Sequence, residues 1–184
     1  MNQIVNKMFQ PGDVGFLMHH DNKLSKIIAW FMQSRWSHSF LVAEPTRQEI
    51  YLVETSDFQV GFGSLLDYLK DDSAEFVVYR PKNILDDERQ EIVDRAKKQR
   101  NKIYGYLQLI SLGIRRLLMR INIKINNFFH QGLVCTHVIT YGYHGSNIPE
   151  LSKLDPESID TEELYQIVKN SVNFELIFEK KAKL

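Results

Sequence analysis

Hydrophobic and polar positions change period several times along this chain, and each change marks an element. Gln10-Pro11-Gly12-Asp13 is a turn signal, and the apolar run after it, Val14 to Met18, predicts a buried strand. Asn22 is placed to cap a helix from Lys23 to Met32, in which Leu24, Ile27, Ile28 and Phe31 share one face. Strands are predicted from His38 to Ala43 and from Ile50 to Glu54, joined as a hairpin by a turn at Pro45. Gly63 to Leu69 reads as a short helix, and Phe76 to Arg80 as a strand stopped by Pro81.

The second half is more helical. Asp86 to Arg100 leads with acids and ends with bases, the order the helix macrodipole favours. From Tyr104 onward Leu107, Ile110, Ile114, Leu117, Leu118, Ile121 and Ile125 recur at helical spacing, with arginines on the flank. Core packing is the first use expected of such a stripe, and a basic amphipathic helix can also lie on a membrane surface. Asn126-Asn127 breaks it before a further helix, Cys135 to Tyr143, which Gly145 closes. Thr161 to Lys169 is expected as a helix capped by Thr161, and Phe174 to Phe178 as a last strand. The expected class is α+β, in a single domain over 1–184.

Composition changes that picture little. The chain has 184 residues, 43% hydrophobic and 25% charged, which suits one globular domain that needs no disulfide. Its one cysteine has no intrachain partner and no cysteine cluster to hold zinc, so neither a metal nor a cofactor is expected. The start of the chain lacks the apolar core of a signal peptide, and no stretch reaches the roughly 18 apolar residues of a membrane span. A cytoplasmic location is the expectation.

Charge changes it more. Net charge is zero, yet no Asp or Glu occurs from Arg95 to Pro149, where Arg95, Lys97, Lys98, Arg100, Lys102, Arg115, Arg116, Arg120 and Lys124 fall. A one-signed block of this kind marks either a set of solvated helix faces or a surface that meets anions. The candidate anionic contact is therefore Arg95–Lys124. Nucleic acid is the weakest candidate partner, because no recognition motif and no sheet-borne aromatics accompany the block.

Chemistry concentrates at Cys135. In Gly132-Leu133-Val134-Cys135-Thr136-His137 the thiol opens an apolar helix, where the dipole favours a thiolate. A lone cysteine is more often a small buried hydrophobe than a nucleophile, so a base decides the matter. His137 lies about 200° round the helix and faces away. His130 and His144 sit at loop edges, and His19-His20-Asp21 hints at a metal without a third ligand. His38 opens a strand in Trp36-Ser37-His38-Ser39, a rigid place for a working imidazole. A third group would fix its tautomer, and Glu54 ends the neighbouring strand; taken alone, Glu54 reads as a solvent-facing strand end.

Six segments in order resemble one family. They are Gly12-Asp13-Val14-Gly15-Phe16, the helix from Lys26 into Trp36-Ser37-His38, Val53-Glu54, Val77-Val78-Tyr79-Arg80, Ile103-Tyr104-Gly105-Tyr106, and Val134-Cys135-Thr136. Over residues 10 to 170 the chain resembles the permuted NlpC/P60 papain-like superfamily, of the YiiX and poxvirus type and related to lecithin–retinol acyltransferase. The resemblance implies a circularly permuted papain-like fold, with an antiparallel sheet packed against the helix that carries the cysteine. It makes Cys135 the nucleophile, His38 the base and Glu54 the orienting acid of a thiol hydrolase. The implied substrate is a small peptide amide or an acyl lipid, attacked through an acyl-enzyme. Thr136-His137 departs from the usual serine after the cysteine, and the basic stretch before Cys135 is longer than the family pattern. A lipid acyltransferase or deacylase at a membrane surface, and a non-catalytic binding protein on the same fold, are the other readings.

Overall fold

Alternation along the strands divides the molecule into two apolar layers on either side of one sheet. The computed structural model describes residues 8–56, 59–100, 114, 118, 134–156 and 158–183. Its strands are β1 (Val14–His19), β2 (His38–Pro45), β3 (Ile50–Ser56), β4 (Gln59–Ser64), β5 (Ala74–Pro81) and β6 (Phe174–Lys180). They form a sheet in the order β4-β3-β2-β1-β5-β6, every neighbouring pair antiparallel. The helices are α1 (Lys23–Met32), α2 (Leu65–Lys70), α3 (Asp86–Lys97), α4 (Cys135–Tyr143), α5 (Pro149–Ser152) and α6 (Thr161–Asn170). The class is α+β, as the sequence implies.

One face carries Val14, Phe16, Leu41, Ala43, Val53, Val77 and Tyr79 and is covered by α3, α4 and α6 through Ile92, Val93, Val138, Ile139, Leu164 and Tyr165. The opposite face carries Leu17, Phe40, Val42, Leu52, Phe76 and Val78 and is closed by Phe9, Leu65 and Leu66. Period-two side-chain placement on a sheet buried on both sides produces this division. Close packing shows at Gly15, where any Cβ would lie within about 2 Å of the Phe40 ring.

Four expectations need correction. The segment before α2 is a strand, β4, and α2 begins at Leu65 with Ser64 as its N-cap, whose hydroxyl accepts from the Asp67 N–H. Gly61 and Gly63 hide that strand by interrupting its apolar alternation. Asp160, not Thr161, caps α6, and Glu163 reaches back to the Asp160 N–H in a capping box. β2 runs through Pro45, paired with Ile50, and the reversal is at Thr46–Glu49. Finally, α1 keeps its Asn22 cap but buries Ala29 and Met32, while Leu24, Ile27 and Trp30 are 55%, 60% and 72% exposed. Of the four apolar residues expected to share one face, Leu24 and Ile27 are exposed, whereas Ile28 and Phe31 are half-buried.

The amphipathic stripe from Tyr104 to Ile125 lies outside the described residues apart from Ile114 and Leu118, as does the greater part of the basic block. Among the described residues no helix is long and apolar enough to cross a membrane.

Candidate functional site

The site is assembled where β2 begins. His38 is the first residue of that strand, and Glu54, opposite Phe40 in the β2–β3 register, shares the Phe40 face with it. His38 Nε2 and Glu54 Oε2 are 2.8 Å apart. Glu54 is only 3% exposed, so the sequence-level picture of a solvent-facing strand end does not hold. Room for its buried carboxylate comes from Gly63 on β4, where an added Cβ would fall 1.8 Å from Glu54 Oε1.

Cys135 arrives from the other layer. It is the first residue of α4, held over the sheet by Val138 and Ile139, and its thiol is free and 3% exposed. The thiol meets the His38 ring at the open end of β2 and has the Thr161 hydroxyl of α6 3.9 Å away. Burial pushes the thiol up, but its hydrogen bond with His38 and the charge on that ring outweigh this. The Ser39 hydroxyl and N–H add to the effect, and together they bring the thiol down to about 7. Burial also works against an imidazolium at His38, yet the contacts with Cys135 and Glu54 push the ring up to about 10. A thiolate–imidazolium pair is therefore the favoured state between those two values. With Nε2 engaged by Glu54, Nδ1 is the ring nitrogen left for the sulfur.

Three contributors are not evident from the sequence. Tyr68 on α2 donates its hydroxyl to both Glu54 oxygens, at 2.9 and 2.8 Å. Ser39 and Thr161 flank the sulfur. A buried carboxylate demands a second donor, but only the fold says which residue supplies it.

The other histidines separate from this group. His137 turns its ring back so that Nδ1 accepts the Val134 N–H at 3.4 Å, and burial pushes it down to about 4, so it is a neutral helix-start residue. His19 and His20 do not converge: His19 Nδ1 pairs with Asp71 at 3.0 Å, and His20 Nε2 with Glu75 at 2.8 Å. Among the described residues no three His, Cys, Asp or Glu side chains are grouped to hold a metal ion. Of the basic block, Arg95 is committed to the protein, with Nε donating to the Gly142 carbonyl at 2.8 Å and Nη1 pairing with Glu91 at 3.2 Å.

No family model and no curated protein matches the chain by sequence. Among solved structures the chain is similar to that of the metalloprotein YiiX from Escherichia coli O157:H7 (DUF1105). The match has a TM-score of 0.51 at 16% identity and covers 93% of this chain and 97% of that one. Similarity at this level is one of fold.

Proposed function

We propose that the chain is a cysteine hydrolase of the amidase or peptidase type on a permuted papain-like (NlpC/P60) fold, with Cys135 as nucleophile, His38 as base and Glu54 as orienting acid. The observation that carries the reading is one imidazole bound to a buried carboxylate at 2.8 Å, with a thiol beside it that is drawn down to about 7. A structural cysteine in an apolar site would be pushed the other way.

The chemistry follows from the groups. The Cys135 thiolate attacks a carbonyl carbon, and the new S–C bond places the negative charge on oxygen. The Cys135 N–H lies in the first turn of α4, where main-chain donors lack helical acceptors, and it can hold that oxyanion. Collapse breaks the C–N or C–O bond, and the His38 imidazolium gives its proton to the leaving group. Neutral His38 then takes a proton from water, whose oxygen attacks the thioester and releases acid and thiolate. Glu54 keeps the ring aimed and favours its charged form throughout.

YiiX is described as a metalloprotein, so the same residues bear testing as ligands. Both Glu54 oxygens accept from Tyr68, and Oε2 also meets His38 Nε2, which leaves, among the described residues of the site, the thiol and one ring nitrogen as donors. Two donors fall short of the three or four protein ligands usual for a metal site.

An acyl-lipid substrate has one observation in its favour. The exposed Leu24, Ile27 and Trp30 lie on α1, whose Met32 and Ile28 pack on Val134, the residue before the nucleophile. An exposed apolar surface on the helix that packs against Val134 suits an acyl chain as well as an apolar peptide side chain.

Iodoacetamide alkylation of Cys135 across pH, wild type against His38→Ala, tests the reading. A wild-type midpoint near 7 that moves above about 8.5 in the variant, with labelling at pH 7 falling about tenfold or more, is expected. A slow, ordinary profile shared by both proteins overturns it.

A further inference from the structure

We propose that Tyr68 is a positioning residue of this site, fixing the plane of the Glu54 carboxylate so that Oε2 stays on His38 Nε2. The inference rests on the cysteine-hydrolase reading and adds a residue that this reading does not require.

The argument begins with the freedom of a glutamate. One contact to a ring nitrogen leaves the carboxylate free to rotate about its last torsion, which has broad, soft wells. Two features of the fold remove that freedom. Below, the carboxylate lies over Gly63, in space that any Cβ would fill, so β4 sets its depth. Opposite, the Tyr68 O–H is shared between both oxygens, at 2.9 and 2.8 Å, and bisects the carboxylate. A bisecting donor resists rotation in either sense, whereas a donor on one oxygen would resist only one.

Tyr68 can do this because it is itself immobilised. Its ring sits between the His19 ring, with centroids 5.5 Å apart, and the Phe40 ring, at 5.9 Å. His19 is in turn held by Asp71 at 3.0 Å. The short helix that carries Tyr68 is pinned at its end by Lys180 of β6, whose Nζ donates to the carbonyls of Tyr68 (2.9 Å), Ala74 (3.0 Å) and Asp71. Burial and the neighbouring Glu54 charge hold the phenol far above its ordinary range, so it remains a donor at every working pH. The geometry is that of a supporting shell locked by packing behind an acid–base pair.

A tyrosine that merely satisfied a buried carboxylate would give the same two distances, so the test must read the thiol. The measurement is the pH profile of Cys135 alkylation by iodoacetamide in the full chain, for wild type, Tyr68→Phe, Glu54→Gln and the double variant, each checked for fold by circular dichroism. Tyr68→Phe keeps the ring and removes only the hydroxyl. It is expected to raise the alkylation midpoint by about half to one pH unit, which is about a three- to tenfold loss of rate on the acidic limb. Because Tyr68 acts through Glu54, the double variant should match Glu54→Gln alone. Gly63→Ala, which displaces the carboxylate from the other side and leaves Tyr68 untouched, should raise the midpoint in the same direction and serves if Tyr68→Phe does not fold. An unshifted profile in folded Tyr68→Phe, or a double variant whose shift is the sum of the two single shifts, overturns the inference while the hydrolase reading stands. A wild-type midpoint that is ordinary and indifferent to His38→Ala removes both.

Discussion

Asp13 and Glu54 are both buried carboxylates, and their partners make one a clasp and the other a site. Asp13 is fully buried at the start of β1 and is gripped by Arg80 through two bonds, Nε to Oδ1 at 2.9 Å and Nη2 to Oδ2 at 2.7 Å. The Gln10 N–H adds a third at 2.8 Å, and Arg89 approaches to 3.9 Å. Burial still pushes Asp13 up, against the pull of these groups. Glu54 is almost as buried, but its partners are a phenol and an imidazole. Guanidinium groups do not give up protons in a protein, so the charges at Asp13 are fixed and the cluster can only hold the fold together. An imidazole can give up its proton, so the charges around Glu54 can change with the state of the ring.

Removing Asp13 should have the largest effect of any single change considered for these two carboxylates. Asp13→Ala strands two arginines beside an apolar core, and losing one partner of a buried ion pair costs about 3–5 kcal/mol. For a chain of this length that corresponds to a fall of about 10 °C in melting temperature, read by calorimetry. Among molecules still folded, the midpoint of Cys135 alkylation should not move. A shifted midpoint would mean that the clasp feeds the site and that the two regions are not separate.

That pairing also explains what could be read from the sequence. Gly12-Asp13 and Val78-Tyr79-Arg80 stand out as separate markers along the chain, and the structure makes Asp13 and Arg80 each other's partner across β1 and β5. The strand of His38 and the helix of Cys135 were legible because alternation and a helix start are local signals. β4 was not, since Gly61 and Gly63 suppress the pattern, and Gly63 is the very position that makes room for Glu54. In α1 periodicity finds a stripe of large apolar residues, but the fully buried positions are Ala29 and Met32, which lie beside that stripe. Tyr68 could not be singled out at all, because nothing local to Leu65-Leu66-Asp67-Tyr68 shows that a carboxylate from β3 lies above it.

A smaller effect separates fixed from exchangeable charge through pH. His38 is raised from 6.5 to about 10, so its contribution to stability is complete below pH 6.5 and is lost as pH rises through about 10. Cys135 is lowered from 9.0 to about 7, so its contribution is complete above pH 9 and is lost as pH falls through about 7. Between pH 7 and 9 the two slopes oppose, and the pair leaves the wild-type melting temperature nearly flat. Cys135→Ala removes the rising slope together with the Cys135 contact that helps raise His38, and leaves the part of the falling slope that the Glu54 contact sustains. Melting temperature measured against pH should therefore decline across pH 7 to 9 in Cys135→Ala relative to wild type. Parallel curves for the two proteins would deny that the thiol and the ring exchange a proton in the folded state.

The smallest expected effect comes from two glycines on the same strand. Gly61 and Gly63 have one residue between them on β4, opposite Glu54 and Leu52 respectively in the register with β3. A Cβ at Gly61 meets nothing within 4 Å, whereas one at Gly63 would overlap the Glu54 carboxylate. Gly61→Ala should leave stability within about 0.5 kcal/mol of wild type, as expected for an open surface position. Gly63→Ala should cost about 1–3 kcal/mol, the usual penalty of inserting a methyl into occupied space. Chemical denaturation of the two variants gives these numbers, and the same samples give the alkylation midpoint. If Gly61→Ala also moves that midpoint, β4 influences the thiol through its backbone, and the space beside Glu54 is not what ties this strand to the site.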